Sequence, residues 1–182
     1  MTRTASLLAA AALALGIAAP ASAELAAGAK APVFVAKGAL AGKPFTFSLA
    51  DALKKGPVVL YFYPKAFTQG CTLEAHAFAE ASADFAAAGA TVIGMSNDDI
   101  ATLQKFSTEA CRDKFAVAAA SPEVIKGYDV ALKAVGIPTG LTKRTSYVIG
   151  TDGRIVMVHS DMDYRDHVKL TLAAVRKLKP TR

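Results

Sequence analysis

Two stretches of the chain carry apolar side chains at consecutive positions, Val58-Val59-Leu60-Tyr61-Phe62-Tyr63 and Thr91-Val92-Ile93-Gly94-Met95-Ser96. Neither alternates apolar with polar, so both are predicted as central strands covered on both faces. Between them Ala75, Phe78, Ala81 and Phe85 recur at three- and four-residue steps, which predicts a helix from Thr72 to about Ala88 that stops at Gly89. Upstream, Ala31 to Val35 and Pro44 to Phe47 read as short strands around a loop from Gly38 to Gly42. A short helical turn follows from Ser48, its cap, to Lys55, and ends at Gly56-Pro57.

Downstream of the second apolar run, Asn97-Asp98 opens a helix that turns Ile100, Leu103 and Phe106 inward and runs toward Cys111. Ser121-Pro122-Glu123 is a further helix start, with proline at the first helical position. Thr145 to Ile149 and Arg154 to His159 form a hairpin through Asp152-Gly153. A last helix, about Tyr164 to Leu178, buries Val168, Leu172, Val175 and Leu178 and ends before Pro180. Strands alternating with helices, then a hairpin and a closing helix, predict one α/β domain with a mixed central sheet flanked by helices on both faces.

The leader changes the picture of where the domain begins. Met1-Thr2-Arg3 is a short positive segment, Leu7 to Ala19 is apolar, and Ala21-Ser22-Ala23 is a small-x-small cleavage site, so residues 1–23 read as a signal peptide and 24–182 as the domain. The expectation is a periplasmic or secreted protein of about 160 residues, without stable membrane association. The formal charge of +6 is scattered, with adjacent basic residues only as the pairs Lys54-Lys55, Lys143-Arg144 and Arg176-Lys177. Nucleic-acid binding, which clusters such charge, is not expected.

Two cysteines are too few for a disulfide scaffold, and no histidine pattern completes a metal site, so no metal is expected. Cys71 follows a buried strand and a Pro/Gly-broken turn and stands at the mouth of the predicted helix. There the unpaired backbone N–H groups and the positive end of the helix dipole favour a thiolate, which makes Cys71 a candidate nucleophile.

The pattern Pro64-x-x-x-Thr68-x-x-Cys71 resembles the active-site signature of the peroxiredoxins, thiol peroxidases on a thioredoxin-like fold. Leu60-Tyr61-Phe62-Tyr63-Pro64-Lys65 with Gly70-Cys71-Thr72-x-Glu74 looks most like the Q-type branch, the bacterioferritin comigratory proteins. The likeness extends from an N-terminal hairpin to the last helix. It implies a peroxide substrate, an external dithiol reductant of thioredoxin-like or other kind, no cofactor, and a monomer. On this resemblance Cys71 is the attacking thiolate, Thr68 sets its hydroxyl beside the sulfur, Pro64 walls off water, and the backbone at Gly70 and Cys71 holds the peroxide oxygens. Arg144, directly before a strand as the family's arginine is, is the expected cationic partner.

Two departures stand out. The family's usual Pro-Gly-Cys is here Gln69-Gly70-Cys71, which suggests a looser turn, and the Q-type second cysteine five residues on is replaced by His76. Cys111, in the following helix, is the substitute for resolving a sulfenic acid on Cys71 through an intramolecular disulfide; a one-cysteine cycle with an inert Cys111 is the alternative. His76 reads as a polar filler, and His159 and His167 as surface residues.

Two rival readings differ in class. A thiol-disulfide oxidoreductase is suggested by Gly136-Ile137-Pro138-Thr139, but Cys71-Thr72-Leu73-Glu74 lacks the second cysteine of a C-x-x-C pair. A non-enzymatic periplasmic binding or copper-handling module would need a ligand cluster the sequence does not space.

Overall fold

A computed structural model of the protein describes residues 24–178. The expected signal peptide and Pro180 lie outside the described residues. No described helix is long and apolar enough to cross a membrane.

Among the described residues nine strands and six α-helices follow in the order β1 (Val35–Leu40), β2 (Lys43–Ser48), α1 (Leu49–Leu53), β3 (Val58–Phe62), α2 (Gln69–Glu80), α3 (Ser82–Ala87), β4 (Thr91–Ser96), α4 (Ile100–Glu109), β5 (Ala116–Ala119), α5 (Pro122–Gly127), β6 (Ala131–Ala134), β7 (Ile137–Thr142), β8 (Thr145–Ile149), β9 (Ile155–Ser160) and α6 (His167–Lys177). Seven strands form one sheet in the order β2-β1-β5-β4-β3-β8-β9. The inner β3, β4 and β5 are parallel; the outer strands pair antiparallel. The predicted mixed sheet is therefore present, with the N-terminal hairpin along one edge.

The unbroken apolar run of β3 has the expected cause. Val59, Tyr61 and Tyr63 enter a core layer shared with α2, α4 and α6, while Val58, Leu60 and Phe62 enter a second layer beneath α1 and α5. All five β3 residues are buried. On such a strand, side chains that point in opposite directions meet two different cores.

Several boundaries differ from the sequence expectation. Of the segment Ala31 to Val35, only Val35 belongs to a strand; the chain before it is tacked to the opposite edge through Ala31 N–H and Gly153 O at 2.9 Å. The loop expected from Gly38 shrinks to Ala41-Gly42, both at positive φ, and Gly38 lies inside β1. A Cβ at Gly38 would stand 2.8 Å from the Val117 carbonyl oxygen and 2.9 Å from the Phe45 ring, so close packing, not a turn, requires the glycine there. The first long helix starts at Gln69 rather than Thr72, and it breaks at Ala81 (φ −84°, ψ 1°) into α2 and α3. Asp99, not Asn97-Asp98, caps α4, accepting from the Thr102 N–H at 2.8 Å.

The β6–β7 hairpin was not foreseen. It places Gly136-Ile137-Pro138-Thr139 on an exposed two-stranded arm with Val135 fully exposed, rather than against Cys71.

Candidate active site

The turn between β3 and α2 is fixed at four points. Thr142 Oγ1 donates to the Tyr63 carbonyl at 2.7 Å, and Asp98 accepts from the Ala66 N–H at 2.8 Å and from Ser96 Oγ at 2.8 Å. Thr68 Oγ1 donates to the Lys65 carbonyl at 2.9 Å. Phe67 is held at φ 64°, a strained conformation for a bulky residue, with its ring edge-on to Phe106 of α4 at 5.2 Å. Asp98 thus anchors the turn instead of opening a helix.

This turn delivers Cys71 into the first turn of α2, third from its start and 1% exposed. Thr68 is the residue before the helix, in extended conformation; its hydroxyl hydrogen is committed to Lys65, so toward a ligand it can only accept. Pro64 is half-buried where the chain leaves β3. Gln69 occupies the first helical position, where proline is ordinarily favoured because its fixed φ fits and its missing N–H has no helical partner. The departure from Pro-Gly-Cys therefore keeps the helix start intact.

Arg144 arrives from the residue before β8 and is 4% exposed. Each guanidinium nitrogen has a partner: Nε donates to the Met162 carbonyl at 2.9 Å, Nη1 to the Glu74 carboxylate, and Nη2 to Cys71 Sγ at 3.5 Å. The expected Arg144–Cys71 juxtaposition is present. A Cβ on Gly70 would lie 3.2 Å from Nη2, so the glycine leaves the approach to the sulfur open.

Three residues of this centre carried no role in the sequence reading. Glu74 is three residues after Cys71 and so on the same helix face; it is fully buried, and burial pushes its carboxyl up to about 8 against the pull of Arg144. His167, expected on the surface, is fully buried at the start of α6, between Ser146 Oγ at 2.8 Å and the Asp161 carbonyl at 2.9 Å. His159 packs against its ring at 4.6 Å rather than facing only solvent. An acidic side chain on the apolar face of α2, among Cys71, Ala75 and Phe78, was the available signal for Glu74. Nothing local marked His167.

Cys111 lies just past the end of α4, fully buried, and belongs to the same core layer as Cys71. The two thiols are not bonded. Burial raises the Cys111 thiol well above its ordinary value. The next two residues, Arg112 and Asp113, both have positive φ (50° and 59°), a reversal of non-glycine residues against their preference. His76 is half-buried on α2. Among the described residues no group of three or more His, Cys, Asp or Glu side chains is placed to hold a metal.

A thiol at a helix start, with a buried guanidinium beside it, is an arrangement for nucleophilic sulfur chemistry. Comparison with known proteins leads to the same chemistry. Residues 27–158 match the AhpC/TSA family. A putative peroxiredoxin of Mycobacterium tuberculosis is 33% identical over 134 residues, covering 72% of this chain and 85% of the relative. The chloroplastic peroxiredoxin Q of Suaeda salsa is 31% identical over 154 residues, 79% and 71% of the two chains. Among solved structures, peroxidoxin BcpB of Mycobacterium tuberculosis superposes with a TM-score of 0.74 at 30% identity, over 84% of this chain and 97% of that one. Peroxiredoxin Q of Xanthomonas campestris gives 0.67 at 25% identity, over 77% and 89%. The chain belongs to the AhpC/TSA family and is a peroxiredoxin of the Q type, a thiol-dependent peroxidase on the thioredoxin fold.

Proposed function

We propose that Cys71 is the peroxidatic cysteine and that its substrate is hydrogen peroxide or a small organic hydroperoxide. The observation that carries this reading is the Arg144 guanidinium fixed 3.5 Å from Cys71 Sγ at the start of α2. The thiolate attacks one peroxide oxygen; an S–O bond forms as the O–O bond breaks, and the departing oxygen takes a proton and leaves as water or alcohol. Arg144 and the first-turn N–H groups hold the charge spread over sulfur and both oxygens, Thr68 accepts a hydrogen bond from the peroxide, and Pro64 and Gly70 shape the approach.

Cys111 then attacks the sulfenic acid; water leaves and an intramolecular disulfide forms, which an external dithiol reduces to two thiols. A disulfide needs Cα atoms within about 7 Å, so the start of α2 and the end of α4 loosen first. The strained Phe67 and the left-handed Arg112-Asp113 reversal lie at those two places. The protein acts as an exported monomer, the leader of residues 1–23 being removed.

Mass spectrometry after one equivalent of peroxide tests the scheme. The wild-type chain is expected to lose two hydrogens, Cys111→Ser to gain one oxygen, and Cys71→Ser to leave the peroxide unconsumed. Unchanged consumption by Cys71→Ser rejects the assignment of Cys71. A stable sulfenic acid in the wild type instead selects a one-cysteine cycle, which the complete burial of Cys111 favours.

A further inference from the structure

Behind Arg144 lies a buried polar cluster that the peroxidase scheme does not use. Glu74 presents Oε2 to Arg144, while its other oxygen, Oε1, is buried without a hydrogen-bond partner. The polar atom of His167 nearest to it is Nδ1, at 3.8 Å.

The hydrogen bonds of His167 decide what that nitrogen can offer. The Asp161 carbonyl can only accept, so Nε2 carries the hydrogen. In a neutral ring Nδ1 is then an acceptor, and it takes the Ser146 hydroxyl. Full burial, with Arg144 and His159 nearby, keeps the ring neutral and pushes its pKa down to about 4. Glu74 Oε1 therefore finds no N–H donor at His167.

We propose that His167 is a positioning residue for peroxide reduction, which denies Glu74 a hydrogen-bond donor and so leaves the charge of Arg144 to the sulfur of Cys71. A carboxylate and a thiolate compete for one buried guanidinium. With nothing to stabilise a charge on Oε1, Glu74 stays protonated, yet its Oε2 still accepts from Nη1 and fixes the guanidinium in place. The groups that bear on Glu74 are Cys71 on its own helix, Tyr61 of β3, Arg144 before β8 and His167 of α6, with His159 of β9 behind His167. Of these only Arg144 is a permanent cation.

The inference rests on Cys71 as the reacting thiol, so its tests include two readouts independent of turnover. In the reduced wild-type chain, ¹³C-labelled glutamate is expected to show one carboxyl titrating near pH 8, and long-range ¹H–¹⁵N spectra to show His167 as the neutral Nε2–H form at pH 7. Ordinary titration of every glutamate, or an Nδ1–H or doubly protonated His167, overturns the proposal whatever happens to activity.

The rate constant for peroxide is expected to decline above about pH 8, as Glu74 ionises and draws on Arg144. Glu74→Gln, which keeps an acceptor for Nη1, is expected to lose that decline. His167→Asn puts an amide donor near the place of Nδ1. The decline is expected to begin about one pH unit lower, leaving a rate constant at pH 8 roughly fivefold smaller than that of the wild type. A folded His167→Asn with the wild-type pH profile, or a profile lowered equally at every pH, overturns the role given to His167.

Discussion

A methyl group on Gly70 would stand 3.2 Å from Nη2 of Arg144, tighter than an ordinary contact but short of a collision with backbone. The guanidinium is tied down at its other two nitrogens, so it has little room to retreat. Gly70→Ala is expected to slow peroxide reduction several-fold, up to about tenfold, with little change in melting temperature, because a displacement of a few tenths of an ångström at a charge-stabilising group costs rate before it costs stability. Stopped-flow rates beside a thermal melt check this. Single residues near the thiol were the most legible part of the sequence. Cys71, Pro64, Thr68 and Gly70 share one short stretch, and Arg144 followed from the resemblance to a family whose arginine directly precedes a strand. His167 was missed because its burial depends on α6 folding back over β8, 96 residues from Cys71, and a lone histidine carries no mark of such packing.

At the level of elements, the reading worked where one principle dominated. Runs without alternation became β3 and β4, and the caps at Ser48 and Ser121 formed as expected. It failed where neighbouring residues competed for one role. Asn97, Asp98 and Asp99 are all cap formers; Asp99 takes the end of α4 because Asp98 is turned toward Ala66 and Ser96. The two aspartates therefore separate by function. Asp99→Ala is expected to lower stability by about 1 kcal/mol and leave the peroxide rate constant intact, as chemical denaturation and single-turnover kinetics would show. The break at Ala81 has no glycine or proline to announce it. The β6–β7 arm escaped notice because the apolar residues at its tip, Val135 and Ile137, are exposed and serve neither core.

For the molecule as a whole, the two buried titrating groups behind Arg144 pull stability in opposite directions with pH. Burial raises Glu74 to about 8, so the protonated form favours folding; its contribution is full below its ordinary value of 4.5 and is lost as pH rises through 8. Burial also depresses His167 to about 4, and its contribution is full above 6.5 and is lost as pH falls through 4. Between pH 6.5 and 8 the histidine has nothing more to give. Stability is expected to drop there by about 1–2 kcal/mol from the carboxyl alone. Denaturation midpoints across that window, which should flatten in Glu74→Gln, provide the measurement.

The ring of Tyr61 stacks on Phe78 at 4.3 Å and lies within the electrostatic reach of both Cys71 and Cys111. The chain has five tyrosines and no tryptophan. Its ultraviolet emission is therefore that of phenol groups, and at least one of them reports on the space a Cys71–Cys111 bridge would occupy. Disulfides quench neighbouring phenols, so each turnover should dim the protein and each reduction restore it, an optical record of the cycle that needs no attached dye.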